Sequence, residues 1–230
     1  MNIDKARASL QRGEFILIYD ADDREGETDL VKGAEFVTPS DIHTMRIHGG
    51  GLIILMISHA IAHKLDLPFL SDIFYTGGDH WPILRDLVPN DIPYDSKSSF
   101  SVTINHRKTF TGISDQDRAL TISHFPKTIQ NNDHINTREA QKKFGASFRA
   151  PGHVPICVAA KKLLRERQGH TELAVSLALM TGITPVMTAC EMIGDRVSLP
   201  KNQAQDFAHK RKYTFIEGQD IREAWETWSE

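Results

Sequence analysis

Phe15-Ile16-Leu17-Ile18-Tyr19 is a short apolar run that leads directly into the charged stretch Asp20-Ala21-Asp22-Asp23-Arg24-Glu25-Gly26-Glu27-Thr28-Asp29. An unbroken apolar run of this length is typical of a strand that is buried on both faces of a sheet. The charged stretch begins where the strand ends, and α/β folds commonly form binding sites at such strand ends. This junction therefore predicts a sheet that is covered on both faces and has a polar site at one edge.

The segments around this junction predict a mixture of helices and strands. Helical spacing of Ile3, Ala6 and Leu10 predicts a first helix that stops at Gly13. The other predicted elements are a buried strand at 52–57, a half-buried strand at 100–104, a helix from Thr137 to Phe144 ended by Gly145, helices at 158–166, 171–180, 202–210 and 219–228, and strands at 186–190 and 213–216. Because helices and strands do not alternate strictly, the order predicts an α+β fold with a mixed sheet flanked by helices, as one domain over residues 1–230.

Composition and charge limit the classes of function. The 230 residues carry 27 basic and 30 acidic side chains, so the net charge of −3 argues against non-specific nucleic-acid binding. The N-terminus has no apolar segment of the secretory kind, and the longest apolar run, residues 52–57, is far too short to span a bilayer. We therefore expect a cytoplasmic protein with no membrane or nucleic-acid partner. Cys157 and Cys190 lie in apolar runs and are predicted to be buried, reduced thiols.

The acidic stretch is the first candidate site. If its backbone is extended, Glu25, Glu27 and Asp29 point to the same side. Three carboxylates that close together repel one another unless a cation or a proton lies among them, and their hard oxygen atoms suit Mg²⁺ or Mn²⁺. The alternative is a solvated acidic loop between two strands.

The second candidate site is Arg167-Gln168-Gly169-His170-Thr171-Glu172, which is predicted to be a turn entering a helix capped by Thr171. Free N–H groups at a helix start, an arginine and a threonine hydroxyl together form an anion site. His170 beside them can bind a metal or transfer a proton. The alternative is an ordinary helix start with a surface histidine.

Three weaker candidates complete the set. Pro151 and Gly152 are predicted to place His153 on a tight turn before a strand, although a single such histidine is more often structural. Glu191 is predicted to lie just past a strand end, where the alternative is a paired surface carboxylate. The polar loops at 90–95 and 108–115 are rich in hydroxyl groups and suit a polyol ligand.

Taken together, these segments resemble the 3,4-dihydroxy-2-butanone 4-phosphate synthase family from about residue 15 to residue 195. The resemblance rests on six motifs in order: Asp-x-x-Asp-Arg-Glu-Gly-Glu-Thr-Asp at 20–29, Gly-Gly-Leu-Ile at 50–53, Asn-Asp-Ile-Pro-Tyr-Asp at 90–95, Thr-Phe-Thr-Gly-Ile-Ser-Asp at 109–115, Arg-x-Pro-Gly-His at 149–153 and Arg-Gln-Gly-His-Thr-Glu at 167–172. Glu191 follows the last motif at the expected distance. The family often has a cysteine after Gly-Gly-Leu-Ile, where this chain has Ile54.

The resemblance implies a three-layer α/β/α sandwich with a mixed, twisted sheet, of the type shared with YrdC-like proteins. It implies conversion of D-ribulose 5-phosphate to L-3,4-dihydroxy-2-butanone 4-phosphate and formate, by a Mg²⁺-dependent homodimer with its sites at the subunit interface. By motif position, the implied metal ligands are Glu25 and His170, the implied catalytic residues are His153, Glu191, Glu27 and Asp29, and the implied substrate-binding residues are Arg24, Glu25, Asp29, Arg167, Gln168, Gly169, His170, Thr171 and Glu191. About 35 residues follow Asp195, so the resemblance implies a stand-alone enzyme without a fused partner.

Two other readings remain open at this point. A non-catalytic module that binds a nucleotide or a phosphorylated ligand would have an architecture that RNA-binding proteins share. It would need a basic groove and would have no use for three clustered carboxylates. A different metal-dependent isomerase or lyase of sugar phosphates would use the same residue types, and only its product would distinguish it.

Overall fold

The computed structural model describes residues 2–130 and 135–229. The helices of this described part are α1 (Asn2–Gln11), α2 (Pro39–His48), α3 (His59–Leu65), α4 (Leu70–Gly77), α5 (Pro82–Asp86), α6 (Asp115–Ile129), α7 (Thr137–Ser147), α8 (His170–Thr181), α9 (Lys201–Arg211) and α10 (Gly218–Trp228). The strands are β1 (Ile16–Tyr19), β2 (Thr28–Gly33), β3 (Ile54–Ile57), β4 (Phe100–His106), β5 (Phe148–Val158), β6 (Val186–Glu191) and β7 (Thr214–Glu217).

The strands form one sheet in the order β4-β5-β3-β6-β2-β1-β7. The sheet is mixed, because β1 pairs with β7 and β3 with β5 in parallel, whereas its other neighbours are antiparallel. Both faces are covered: one core contains residues of α2, α3, α6, α7 and α9, and the other contains residues of α1, α8 and α10. The predicted three-layer α/β/α sandwich is therefore confirmed.

Strand β1 shows why the apolar run decides the fold. Side chains alternate along a strand, so Leu17 packs into one core while Ile16 and Ile18 pack into the other. All three are fully buried. Burying a side chain of this size stabilises the fold by about 1.5–3 kcal/mol. The strand then delivers the charged loop to the edge of the sheet.

Helix α8 lies at the centre of the second core, and all but one of its residues are buried. A helix with apolar residues on every side needs partners on every side. Its partners are the sheet, α1 and α10. The start of α8 is therefore fixed in position beside the edge where β1 and β6 end.

Several local predictions are wrong. The segment predicted as a helix at 158–166 is the end of β5 followed by a 3₁₀ turn at Leu163–Arg165, in which Leu163 has a left-handed backbone with φ 49°. Asn136, rather than Thr137, caps α7, and this helix continues through Gly145 to Ser147. Strand β4 runs on to His106 with register shifts, so simple alternation fails there. Glu191 is the last residue of β6 rather than the next one along.

The tail predictions are confirmed as α9, β7 and α10, within one or two residues at each end. Cys157 and Cys190 are buried and free, as predicted. Within the described ranges, no helix has the length and apolar character needed to cross a bilayer.

Candidate active site

Four chain segments converge at one edge of the sheet. They are the loop that follows β1, the start of β2, the end of β6 and the start of α8. Asp29 of β2 lies directly opposite Glu191 of β6 in the antiparallel register. A cavity of about 140 Å³ opens here, and its polar lining includes Glu25, Asp29, Tyr94, Asp95, Arg167, His170, Thr171 and Glu191.

Asp20 gives the acidic loop its shape. Its carboxylate is only 2% exposed and accepts hydrogen bonds from the backbone N–H groups of Glu25 and Glu27, both at 3.0 Å. Arg24 Nη1 donates a third bond to it at 3.2 Å. Because residues 22–25 turn rather than extend, the predicted alternation of Glu25, Glu27 and Asp29 is wrong. Glu27 instead accepts a 2.5 Å hydrogen bond from Ser198 Oγ.

Asp20, Glu25 and His170 form what we call the cation cluster, because one ligand atom from each lies within 4.8 Å of the other two. Glu25 Oε2 is 3.2 Å from His170 Nδ1, and Asp29 Oδ1 is 3.7 Å from His170 Nε2. Both Asp29 Oδ1 and His170 Nε2 are buried without a hydrogen-bond partner. Buried polar atoms normally have partners, so two unpaired atoms facing each other indicate a site built for a ligand or a proton.

The ionisable side chains around His170 have pKa values that differ widely from one another and from their ordinary values. Burial opposes ionisation of Glu25, but the hydrogen bond and charge of His170, helped by Arg24, hold the pKa of Glu25 at about 2. Burial raises the pKa of Asp29 to about 7. Burial also opposes the charged form of His170, yet the carboxylates of Asp29 and Glu25 raise its pKa to about 9. Burial raises the pKa of Glu191. Acceptors and donors of different strength therefore lie side by side, as acid–base chemistry requires.

Arg167 lines this cavity, whereas Arg24 is not part of its lining but contacts Asp20 and Glu25 of the cation cluster. Arg167 Nη1 donates a 2.6 Å hydrogen bond to Glu172, which is fully buried, and Arg167 Nε donates to Asp95. Arg24 lies 3.0 Å from Glu25 Oε1 and 3.4 Å from Asp95 Oδ2. Despite the opposing effect of burial, the charges of Glu172 and Asp95 raise the pKa of Arg167. Each guanidinium group is thus paired with carboxylates: Arg167 with Glu172 and Asp95, and Arg24 with Asp20, Glu25 and Asp95.

The start of α8 differs in detail from the prediction. Gly169, rather than Thr171, is its N-cap, and Thr171 is a buried residue of the first turn. Gln168 was predicted to bind substrate, but its exposed side chain accepts a hydrogen bond from Arg222 Nη1 at 2.9 Å. It lines a second, outer cavity of about 460 Å³ that also borders Arg24 and Arg167.

His153 does not lie in the cavity of its own chain. It is an exposed residue within β5, rather than on a turn before the strand. Its backbone N–H donates to Asn105 Oδ1 at 2.9 Å, and its ring Nδ1 lies 3.1 Å from Asn105 Nδ2. The structure therefore brings together Arg24, Glu25, Asp29, Arg167, His170, Thr171 and Glu191, but not His153.

Three residues of the site were not predicted individually from the sequence: Asp20, Asp95 and Glu172. Asp20 could have been predicted from its position, since it is the first residue after β1. Glu172 could not, because a buried glutamate in a helix is recognised only when its arginine partner is seen.

The geometry defines a class, namely an α/β/α enzyme with a cation cluster and an arginine-lined helix start around one small cavity. The family model for 3,4-dihydroxy-2-butanone 4-phosphate synthase matches residues 4–224. Enzymes of that name from Methanothermobacter thermautotrophicus and Methanosarcina acetivorans are 42% and 43% identical to this chain. The first alignment covers 97% of this chain and 95% of the relative, and the second covers 99% and 92%.

Solved structures of 3,4-dihydroxy-2-butanone 4-phosphate synthase have the same fold. A cation-free form superposes with a TM-score of 0.76 at 26% identity, covering 99% of this chain and 98% of the other. A complex with two magnesium ions superposes with a TM-score of 0.74 at 27% identity, covering 95% and 94%. The chain belongs to the 3,4-dihydroxy-2-butanone 4-phosphate synthase family, whose members are enzymes of riboflavin biosynthesis.

Proposed function

We propose that this enzyme converts D-ribulose 5-phosphate to L-3,4-dihydroxy-2-butanone 4-phosphate and formate in the cavity lined by Glu25, His170 and Arg167. The observation that carries the proposal is the 3.2 Å separation of Glu25 Oε2 and His170 Nδ1. A carboxylate oxygen and a ring nitrogen this close together could both bind the same divalent cation. Membership of the family supports the same reaction.

Glu25 and His170 are the proposed ligands of a divalent cation, Mg²⁺ or Mn²⁺. The donor set fits such an ion, since the low pKa of Glu25 keeps its carboxylate ionised at neutral pH. Asp29 then faces the other ring nitrogen and orients the imidazole, as carboxylates next to metal-bound histidines do. A bound cation would supply a Lewis acid that polarises the carbonyl of the sugar. Because the pKa of His170 is about 9 without a cation, binding should release a proton.

Asp29 and Glu191 are the proposed proton-transfer groups beside the sugar. Asp29 has a pKa of about 7, so it can both accept and return a proton near neutral pH. Glu191 lies across the strand pair from it and is partly buried, which raises its pKa. Glu27 is not part of the cavity lining, and its carboxylate accepts a hydrogen bond from Ser198 Oγ. Its proposed role is to position the loop and to adjust the charge around Asp29.

Arg167 and the first turn of α8 are the proposed phosphate subsite. The N–H groups of a helix start and a guanidinium group both favour an anion. Gly169 lets the guanidinium group approach the helix, and Thr171 adds a hydroxyl group to the cavity wall. Arg24 completes the site from the loop side. Binding the phosphate end would fix the reacting end of a small substrate.

His153 is the proposed contribution of a second subunit. It is exposed and lies outside the cavity of its own chain. Phe110, in the motif that precedes α6, is 95% exposed, and Val197 is 66% exposed. Such apolar exposure supports a homodimer whose interface carries the two active sites. The proposed unit is one domain over residues 1–230, and its charged, phosphorylated substrate supports a cytoplasmic location.

The reaction is tested by product analysis with ribulose 5-phosphate labelled with ¹³C at C4. The label should appear in formate with the wild type and not with Glu25→Gln, whereas the exposed-site control Glu226→Gln should match the wild type. Calorimetric titration should show weaker Mn²⁺ binding to Glu25→Gln than to the wild type, and unchanged Mn²⁺ binding to Glu226→Gln. Labelled formate from Glu25→Gln at the normal rate would refute the ligand assignment, and absence of label in formate from the wild type would refute the reaction.

The shared site is tested by mixing two inactive variants, Glu25→Gln and His153→Ala. In a mixed dimer one site carries both changes and the other carries neither, so random exchange should restore roughly a quarter of wild-type activity. Each variant mixed with itself is the control. No recovery, despite subunit exchange verified by native mass spectrometry, would mean that His153 does not act across the dimer.

A further inference from the structure

The carboxylate of Asp95 lies between the two guanidinium groups of the site. Its Oδ2 accepts a hydrogen bond from Arg167 Nε and lies 3.4 Å from Arg24 Nη2, and its side chain is only 10% exposed. Its Oδ1 accepts from the backbone N–H of Ser96 at 2.9 Å. Asp95 belongs to a segment without helix or strand, residues 88–99, which joins α5 to β4. A single loop carboxylate therefore contacts both guanidinium groups, in addition to the contacts of Arg167 with Glu172 and of Arg24 with Asp20 and Glu25.

The same two guanidinium groups also flank the start of α8. A methyl group added to Gly169 would lie 2.2 Å from Arg167 Nη1 and 2.9 Å from Arg24 Nη2. Gly169 is the N-cap of this 12-residue helix. Two cations and a helix N-terminus thus converge on one small volume, which favours an anion. In the structure the carboxylates of Asp95 and Glu172 both contact Arg167, and Asp95 is the one that also contacts Arg24.

Asp95 is the removable partner of Arg167, whereas Glu172 is the permanent one. Glu172 is fully buried within α8 and also accepts a 2.8 Å hydrogen bond from the backbone N–H of Ala160. It can leave only if the helix unfolds. Asp95 is carried by an irregular segment next to the exposed ring of Tyr94, which packs on Arg24 at 5.2 Å. Because Glu172 stays in place, the guanidinium group of Arg167 keeps its orientation when Asp95 leaves.

We propose that Asp95 is a built-in competitor of the substrate phosphate: its carboxylate occupies the anion position between Arg24 and Arg167, and segment 88–99 withdraws before the substrate binds. This inference rests on the proposed phosphate subsite. Arg167 Nε has one hydrogen to donate, and a phosphate dianion next to the carboxylate would be repelled, so the two anions exclude each other. Asp95 thus sets the affinity for phosphate, while Glu172 keeps Arg167 oriented.

The test is calorimetric titration of the full chain with inorganic phosphate in the presence of Mg²⁺. Asp95→Asn should bind phosphate about tenfold more tightly, as expected if the carboxylate is withdrawn about one tenth of the time in the wild type. Glu166→Gln is the matched control: it removes one negative charge from the outer cavity wall without a bond to Arg24 or Arg167. Phosphate affinity of the control should change less than about twofold.

Asp95→Glu keeps the charge and should retain the weak affinity of the wild type, and thermal unfolding checks that each variant is folded. For ribulose 5-phosphate, Asp95→Asn should lower KM without raising kcat, a split that a purely structural role would not produce. Phosphate affinity that is unchanged or weaker in folded Asp95→Asn would overturn the inference. If Asp95→Asn does not fold, Asp95→Ser is titrated in its place under the same criterion.

Arg167→Ala separates this inference from the proposed function. If Arg167→Ala binds phosphate and turns over ribulose 5-phosphate normally, the phosphate subsite itself is wrong. If Arg167→Ala loses both while Asp95→Asn gains nothing, the subsite stands and only the competitor role of Asp95 fails.

Discussion

Replacing Gly169 with alanine should remove most of the activity through one added methyl group. The backbone at residue 169 has φ −81°, a conformation open to alanine, so backbone strain does not contribute. The methyl group would lie 2.2 Å from Arg167 Nη1 and 2.7 Å from Arg167 Cζ, distances at which one group must move. The guanidinium group would leave the helix start and lose its hydrogen bonds to Glu172 and Asp95.

The magnitude follows from those two hydrogen bonds. A hydrogen bond to a charged group contributes about 1.5–3 kcal/mol. If the displaced arginine no longer orients the phosphate, a loss of about 3 kcal/mol corresponds to about a hundredfold lower kcat/KM. Glu172 would remain buried with only its Ala160 bond, so the free energy of unfolding should also fall by about 3 kcal/mol.

The assay is formate release as a function of ribulose 5-phosphate concentration, with thermal unfolding measured in parallel. Gly145→Ala is the matched control, because its methyl group has no atom within 4 Å and lies inside α7. It should leave kcat/KM unchanged and stabilise the protein by about 0.5–1 kcal/mol. A Gly169→Ala enzyme with wild-type kcat/KM would refute the placement of Arg167 in the site.

Three further predictions concern the cation, the carboxylate pair and pH. Exhaustive chelation should stop formate release and Mg²⁺ should restore it, with an unchanged circular dichroism spectrum; activity that survives chelation would contradict the cation site. Asp29→Asn should lower kcat by at least about a hundredfold while raising the melting temperature, and a variant with normal turnover would exclude Asp29 from proton transfer. Burial, with the charges of His124 and Lys108, lowers the pKa of His106 in the folded protein. The folded state therefore favours the neutral ring, so this contribution to the free energy of unfolding is complete above a pH of about 6.5 and is lost as the pH falls below 6.5. Between pH 7.5 and 5.0 the melting temperature should fall less for His106→Gln than for the wild type. Equal falls in the two proteins would refute this role of His106.

Much of the fold could be predicted from the sequence where one pattern has one explanation. Ile16, Leu17 and Ile18 form an apolar run too short for a helix, and both faces of the strand are indeed buried. The segment at 158–166 shows where this reasoning fails. Leu163 and Leu164 have helix-like spacing with the residues before them, but Leu163 adopts a left-handed backbone that ends any helix. Nothing in the local pattern reveals that conformation, which is accompanied by burial of the neighbouring Leu164 in the second core.

The candidate site was predictable in most of its members but not in its contacts. Motif order identified Glu25 and His170, which lie 3.2 Å apart. Strand periodicity placed Glu27 with them, whereas the three hydrogen bonds to Asp20 turn the loop and direct Glu27 to Ser198. Such bonds join residues four to seven positions apart through side chains, and periodicity contains no information about them.

The antiparallel pairing of Asp29 with Glu191 has a consequence for evolution. Hydrogen bonds of the sheet backbone hold these two acidic residues opposite each other, and like charges in directly opposed positions weaken a sheet. The fold would gain stability from a neutral residue at either position, so selection for turnover alone retains both. In a lineage that imports its riboflavin, we expect these two sites to be among the first to accept substitutions.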